Sequence, residues 1–232
     1  MPERLITRAL RFLRNNSPVH LDWRINPYLF NPNRDFPETQ YKAIGYKPTG
    51  MILDIGSGQR PFPSAQFLVD KYEQPLGKKP VILGGQTFIP HVDICDLRIF
   101  ANKYFDFVFC SRVLEHTDDP IKACQEIIRV GKRGYIETPR IGTDALFSWN
   151  NESHKWLVHN VNNTLVFFPN TDFLRAGIRS TAWRDVLSSP LRHPLQNAFF
   201  KNQGVFNVMF NWKDQFNVIV FEDNGEVKEL HV

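Results

Sequence analysis

The sequence predicts an α/β fold: a mostly parallel sheet with helices on both faces, a reversed terminal strand and an inserted β-hairpin. Three observations predict it. From Met51 onward, short apolar runs (MILDI, QFLVD, FIPHVDI, FDFVFCS and RGYIETP) alternate with helical or irregular stretches, the pattern of a parallel sheet covered on both sides. HKWLVHN and TLVFFP flank Asn162-Asn163, a pair suited to a tight hairpin turn. Near the end, VFNVMFNW and FNVIVFED are separated by a short polar KDQ, which predicts an antiparallel pair.

The elements follow in chain order. Residues 1–16 read as a helix with Leu5, Ile6, Ala9, Leu10 and Leu13 on one stripe and Arg4, Arg8, Arg11 and Arg14 on another. Such a basic amphipathic helix suits either its own domain or an anionic membrane or protein partner. Residues 17–48 are dense in Pro, Asn and aromatics and lack a helical or alternating period, so an irregular lead-in is expected, pinned by Trp23, Tyr28, Phe30 and Phe36. The expected division is therefore 1–48 as helix and lead-in or cap and 49–232 as the main domain, with the hairpin inserted at about 152–169. A helix is predicted over roughly 119–130, started by Asp118-Asp119-Pro120, and another near 171–187.

Composition narrows the function classes. The chain has 232 residues, 42% of them hydrophobic and 22% charged, as in ordinary globular proteins. No apolar run approaches the roughly 18 residues of a spanning helix. The first residues carry charges throughout and no small-residue cleavage site, so they make a poor signal peptide. Cys95, Cys110 and Cys124 lie in or beside apolar segments without metal-like spacing, which predicts reduced, buried thiols and a cytoplasmic location. A net charge of +4 permits anionic partners without requiring nucleic acid.

The chemistry-bearing stretch is ILDIGSGQRPFP, Ile52 to Pro63. A strand ending in a glycine turn brings backbone N–H groups close to a ligand at the sheet's carboxyl edge. The dinucleotide fingerprint G-x-G-x-x-G would need a third glycine where Pro61 stands, and no Gly-Lys-Ser/Thr follows for a P-loop. Asp70 closes the next run and Asp93 the one after it. An aspartate at a strand end is commonly a turn former or cap, but three at consecutive strand ends aim at one rim.

These blocks resemble the class I S-adenosylmethionine-dependent methyltransferases, and among them the type 11 small-molecule branch. ILDIGSG, VD at Asp70, VDICDL, FDFVFCSRVLEHTDDP, then IKACQEIIRV and GKRGYIETP occur in the family's order, covering about 51–140. The resemblance implies a Rossmann-like seven-stranded sheet with a reversed strand, and S-adenosyl-L-methionine as cofactor. It implies that Gly56, Ser57 and Gly58 pass under the methionine part, with Asp54 orienting its ammonium directly or through water. Asp70 would bind the ribose, Asp93 and the Ile94 backbone the adenine, and Ser111 would sit near the methionine end.

The sequence departs from that pattern at Arg60-Pro61-Phe62-Pro63, where many members carry a third glycine. Proline fixes φ and removes an N–H donor, and only 16 positions separate Asp54 from Asp70. The first crossover helix is therefore expected to shrink to a turn, with Arg60 either a carboxylate contact or a solvated loop residue.

Methyl transfer to a hydroxyl or amine also requires a proton acceptor, a task suited to histidine. His116, just past the fourth strand, and His154, opening the hairpin, are the catalytic candidates, each weighed against a purely structural role. A His-basic-Trp unit such as His154-Lys155-Trp156 resembles one in glycan-cluster methyltransferases and suggests a sugar acceptor, with Trp156 as an aromatic wall. Glu137, Thr138 and Glu115 form a further set. No metal is expected, because His154 and His159 are five apart and no Cys/His cluster offers four ligands. The basic stripe is confined to the first helix, which argues against nucleic-acid methylation. The leading expectation is methyl transfer to a small polar acceptor such as a sugar or glycan precursor. The alternatives are a non-catalytic binding or regulatory module on the same scaffold and, more remotely, a nicotinamide-dependent oxidoreductase.

Overall fold

The computed structural model describes residues 36–143, 153–171 and 202–231. The helices expected over 1–16 and near 171–187, and the lead-in aromatics Trp23, Tyr28 and Phe30, lie outside them. Helix α1 spans Phe36–Ile44, where the sequence pattern suggested only irregular chain. The parallel strands are β1 (Ile52–Ile55), β2 (Phe67–Asp70), β3 (Thr87–Pro90), β4 (Phe107–Ser111) and β5 (Arg133–Pro139). Helix α2, Pro120–Val130, joins β4 to β5 and starts as expected, with the Asp119 carboxylate accepting from Lys122 N at the N-cap and Pro120 at the first helical position.

The main sheet has six strands in the order β3-β2-β1-β4-β5-β8. β8, Asn207–Lys213, runs antiparallel to β5, with Tyr135 opposite Asn211 and Glu137 opposite Met209. The mostly parallel sheet with one reversed edge strand is the architecture expected, although it holds six strands among the described residues rather than seven. The pairing expected between VFNVMFNW and FNVIVFED does not form. β9, Asn217–Phe221, leaves the main sheet and joins a second one, β10-β9-β7-β6. There β6 (Trp156–Val161) and β7 (Thr164–Pro169) form the predicted hairpin, and Asn162 takes a φ of +51° at its turn. β9 runs parallel to β7 and antiparallel to β10, Val227–Leu230. Burial explains the split: Val218 and Val220 are more than 98% buried against Leu165, Phe167 and the α2 face, where a lone edge strand on β8 would leave one side wet.

Each central strand feeds two cores by simple alternation. Leu53, Ile55, Val108, Cys110 and Ile136 face α2 and the second sheet, together with Ala123, Cys124, Ile127 and Val130 of α2. Ile52, Leu68, Phe107, Phe109 and Tyr135 face the other way, onto Phe62 and Ile44 of α1. Helices therefore cover both faces. No helix lies between β1 and β2, as the prolines after Arg60 predicted. Its place is taken by Phe62, fully buried and stacked on Phe109 with ring centroids 4.2 Å apart, and by Tyr41 of α1, 5.2 Å from Phe62. Cys110 and Cys124 are buried free thiols and Cys95 is half-buried. Among the described residues, no helix is long and apolar enough to cross a membrane.

Candidate functional site

The loop after β1 is fixed by its own backbone. Gly56 N donates to Val69 O at 2.8 Å, and Arg60 N to Ser57 O at 2.9 Å. Gly56 and Gly58 have φ of +70° and +50°, where side chains are disfavoured. A methyl group on Gly56 would come within 2.3 Å of the Val113 side chain, so this loop packs directly on the one after β4. On Gly58 it would meet nothing closer than Gly56 O at 3.9 Å, leaving open space beside the turn.

Asp54 is almost fully buried and accepts from Phe62 N at 2.7 Å. Burial pushes its carboxyl up to about 7, partly countered by the Phe62 hydrogen bond and reinforced by the negative charge of Asp70. Asp70, at the end of β2, accepts from Tyr72 N at 3.0 Å, and the Gly58 amide also bonds to it. Its carboxyl too is raised, chiefly by burial. So Asp54, Asp70 and the glycine turn do converge on one edge of the sheet.

Asp93 differs from expectation. β3 ends at Pro90, so Asp93 lies three residues beyond it, in a turn that its Oδ1 caps by accepting from Cys95 N at 2.9 Å. Lys71 Nζ stands 2.9 Å from Asp93 Oδ2 and 3.4 Å from Asp118 Oδ2, bridging the ends of three consecutive strands. Burial favours the neutral Asp93, but the Cys95 amide and the Lys71 ammonium outweigh it and hold the carboxyl below its ordinary value. Ile94 is buried in the α2-side core. Ser57 Oγ and Ser111 Oγ are both buried without a hydrogen-bond partner among the described residues. Two orphaned hydroxyls beside an open glycine turn and two raised carboxyls fit a polar, cationic guest such as an amino-acid-bearing nucleoside. Arg60 is exposed.

The predicted catalytic histidines meet. His116 ends a 3-10 turn, Leu114–His116, just past β4. Its Nδ1 lies 2.8 Å from Ser153 O; a carbonyl only accepts, so Nδ1 carries a proton, and in the neutral ring Nε2 holds the lone pair. The start of the hairpin is zipped onto that turn by Lys155 N to Glu115 O at 2.8 Å and Trp156 Nε1 to Thr117 O at 2.9 Å. Lys155 Nζ is also paired with Asp118. The result places the buried His154 ring edge to face against His116, centroids 4.7 Å apart. Trp156 is 8% exposed and packs into the core, so it anchors the hairpin rather than lining a cleft as expected.

Sequence reading missed two groupings. Donor atoms of Glu115, His116 and His154 lie within 4.8 Å of one another, a set capable of holding a metal ion that sequence spacing concealed. A second network surrounds Glu137, which accepts from Tyr135 Oη at 2.6 Å and Gln40 Nε2 at 3.1 Å, with Arg112 Nη2 3.6 Å away. Arg112 adopts a φ of +62° directly after β4 and donates to Asn207 Oδ1 at 2.9 Å. Glu137 was noted as a strand-end acid; its partners carry no motif and come together only through the sheet and α1. Thr138 is buried and directs its hydroxyl to Pro139 O.

Residues 72–136, from just past β2 to the middle of β5, match the family described as "Methyltransferase domain". That stretch is similar to the methyltransferase family. The matched segment contains Asp93, the His116 turn and α2, and the sheet order around it agrees with the class I resemblance drawn from the sequence. Solved structures similar to the chain include a protein described as a methyltransferase of an antibiotic biosynthesis pathway from Anabaena variabilis, at 16% identity over 74% of this chain and 87% of that one, TM-score 0.42. Another is an S-adenosylmethionine-dependent methyltransferase from Aquifex aeolicus, at 19% identity over 50% and 71%, TM-score 0.39. A third is a Haloferax volcanii methyltransferase solved with its Trm112 activator, at 14% identity over 59% and 76%, TM-score 0.41. No curated protein matches the sequence.

Proposed function

We propose that this chain transfers a methyl group from S-adenosylmethionine to a small polar acceptor, a sugar or glycan precursor. The observation that carries the reading is the meeting of Asp54, the Gly56–Gly58 turn and Asp70 at one carboxyl edge, beside two buried hydroxyls that lack partners among the described residues. When bound, S-adenosylmethionine supplies an electrophilic methyl group on a sulfonium. Asp70 would hold the ribose hydroxyls, Asp54 would orient the ammonium, and Ser57 and Ser111 would bond the amino-acid end. Asp93 and the Ile94 backbone would meet the adenine, with Lys71 as a competitor for the Asp93 carboxylate.

His116 holds the acceptor hydroxyl at Nε2, the ring nitrogen left basic by the Ser153 carbonyl. His116 Nε2 would take up the hydroxyl proton as the acceptor is methylated. His154 positions His116 through their ring contact. Alignment and exclusion of water supply most of the acceleration in such a displacement. The sugar class rests on the His154-Lys155-Trp156 likeness. Calorimetric titration with S-adenosylhomocysteine tests the donor half: micromolar binding weakened about tenfold in Asp70→Asn is expected, and no heat at millimolar concentration overturns the reading.

A second reading, a non-catalytic binding module, is favoured by one observation: rim carboxylates are engaged by the chain itself, Asp93 by Lys71 and Asp54 by Phe62 N. Donor binding with no methyl transfer to a panel of sugars, nucleotide sugars and other polar acceptors would select it.

A further inference from the structure

The geometry points to a divalent transition-metal site formed by Glu115, His116 and His154, taking a cation such as Zn(II) through one carboxylate oxygen and two imidazole nitrogens. The three donor atoms lie within 4.8 Å of one another. Bonds of about 2.0–2.2 Å put two ligands of one zinc ion at most about 4.4 Å apart, so small side-chain rotations bring this set onto a common ion.

Three features argue that the set is built rather than accidental. The Ser153 carbonyl fixes His116 as the tautomer whose Nε2 carries a lone pair, the outer-shell bond that metal-ligating histidines use. The two ligand segments, distant in sequence, are held in register by Lys155 N to Glu115 O and Trp156 Nε1 to Thr117 O. Asn170 Nδ2 also bonds His154 O at 2.9 Å, fixing the backbone of the third ligand. Finally, Glu115 is 1% exposed and His154 5%. Two imidazoles and a carboxylate leave one coordination position for water or a substrate oxygen.

The site stands independently of the methyl-transfer reading. If both hold, the histidines act as ligands, and the ion lowers the acceptor hydroxyl's pKa in place of His116 as base.

The test uses the full chain stripped with chelator and then dialysed. ZnCl2 titration by calorimetry and Co(II) titration by visible absorption are run on the wild type, His116→Gln, His154→Gln, Glu115→Gln and, as a surface control, His231→Ala. Expected are one ion per chain, a Co(II) visible band, a rise in melting temperature with zinc, and at least about tenfold weaker binding in the three ligand variants but not in H231A. Thermal melting of each metal-free variant checks folding; His116 is only partly buried, so H116Q serves as the decisive variant should either buried one misfold. Absence of saturable binding, or zinc affinity unchanged in H116Q, or loss confined to H231A, overturns the inference. S-adenosylhomocysteine titration of the same zinc-free protein reads the donor site separately.

Discussion

Asp54 and Phe62 are joined by a 2.7 Å hydrogen bond from the Phe62 amide to the Asp54 carboxylate, and both residues are buried. The bond ties the last turn of β1 to the residue that replaces a crossover helix. It stabilises the anion, yet burial dominates and the carboxyl still rises to about 7.

The consequence for stability has a definite sign. An unfolded aspartate loses its proton near 3.8, whereas folded Asp54 keeps it to about 7. Between those values the native state binds the extra proton, so this residue's contribution weakens as pH rises through that window. The difference is worth at most about 4 kcal/mol. Chemical denaturation at pH 4.5 and 7.5 is expected to show Asp54→Asn with a flatter pH dependence than wild type. A parallel pH profile in both proteins would refute it.

The two loop glycines should respond differently. Gly56→Ala meets Val113 as well as the left-handed backbone penalty, whereas Gly58→Ala meets the backbone penalty alone. That penalty is about 1–2 kcal/mol. G56A is expected to lower the melting temperature clearly more than G58A, measured by calorimetry. Any effect of G58A on S-adenosylhomocysteine affinity beyond its effect on stability would then report the open space beside the turn.

Lys71 bridges Asp93 and Asp118, but it is half exposed, and surface pairs contribute only about 0.2–1 kcal/mol. Lys71→Ala is therefore expected to change stability by less than about 1 kcal/mol. Under the proposed function it should tighten S-adenosylhomocysteine binding a few-fold, because Asp93 loses a competing partner. Weaker binding in K71A would instead make the lysine part of the donor site.

Glu137 is 2% exposed and held by Tyr135, Gln40 and Arg112. Burial and the neighbouring Glu137 charge push the Tyr135 phenol far above its ordinary range, so it stays a donor at every accessible pH. Tyr135→Phe leaves Glu137 short of one buried donor and should cost about 1–3 kcal/mol. Double-mutant denaturation with Glu137→Gln should show strong coupling between the two; additive effects would mean that the bond contributes nothing.

Much of this architecture was legible beforehand because parallel strands buried on both faces read as short apolar runs, and the 3.6-residue period marks α2. The hairpin was equally plain from Asn162-Asn163. The fate of β9 was not, since pairing across KDQ is the local choice and only the surface of α2 and β7 makes the other choice better. Of the site, Asp54 and Asp70 could be placed from strand ends, while Asp93 falls three residues past its strand because His91, with a φ of +60°, ends the strand early. The Glu115–His116–His154 grouping was hidden because its members belong to segments that meet only after the hairpin docks. Trp156 looked like a cleft wall because its indole nitrogen's partner, Thr117 O, has no sequence signature.

The second sheet gives the last strands an indirect hold on the histidine pair. β9 runs beside β7, Phe221 stacks on Phe168 with centroids 5.0 Å apart, and β7 carries β6, which leads back to His154. Trimming or fusing a partner to β9 and β10 would thus loosen the clasp that seats His154 beside His116, and the pairing of the two rings would be lost by tampering at the far edge of a different sheet.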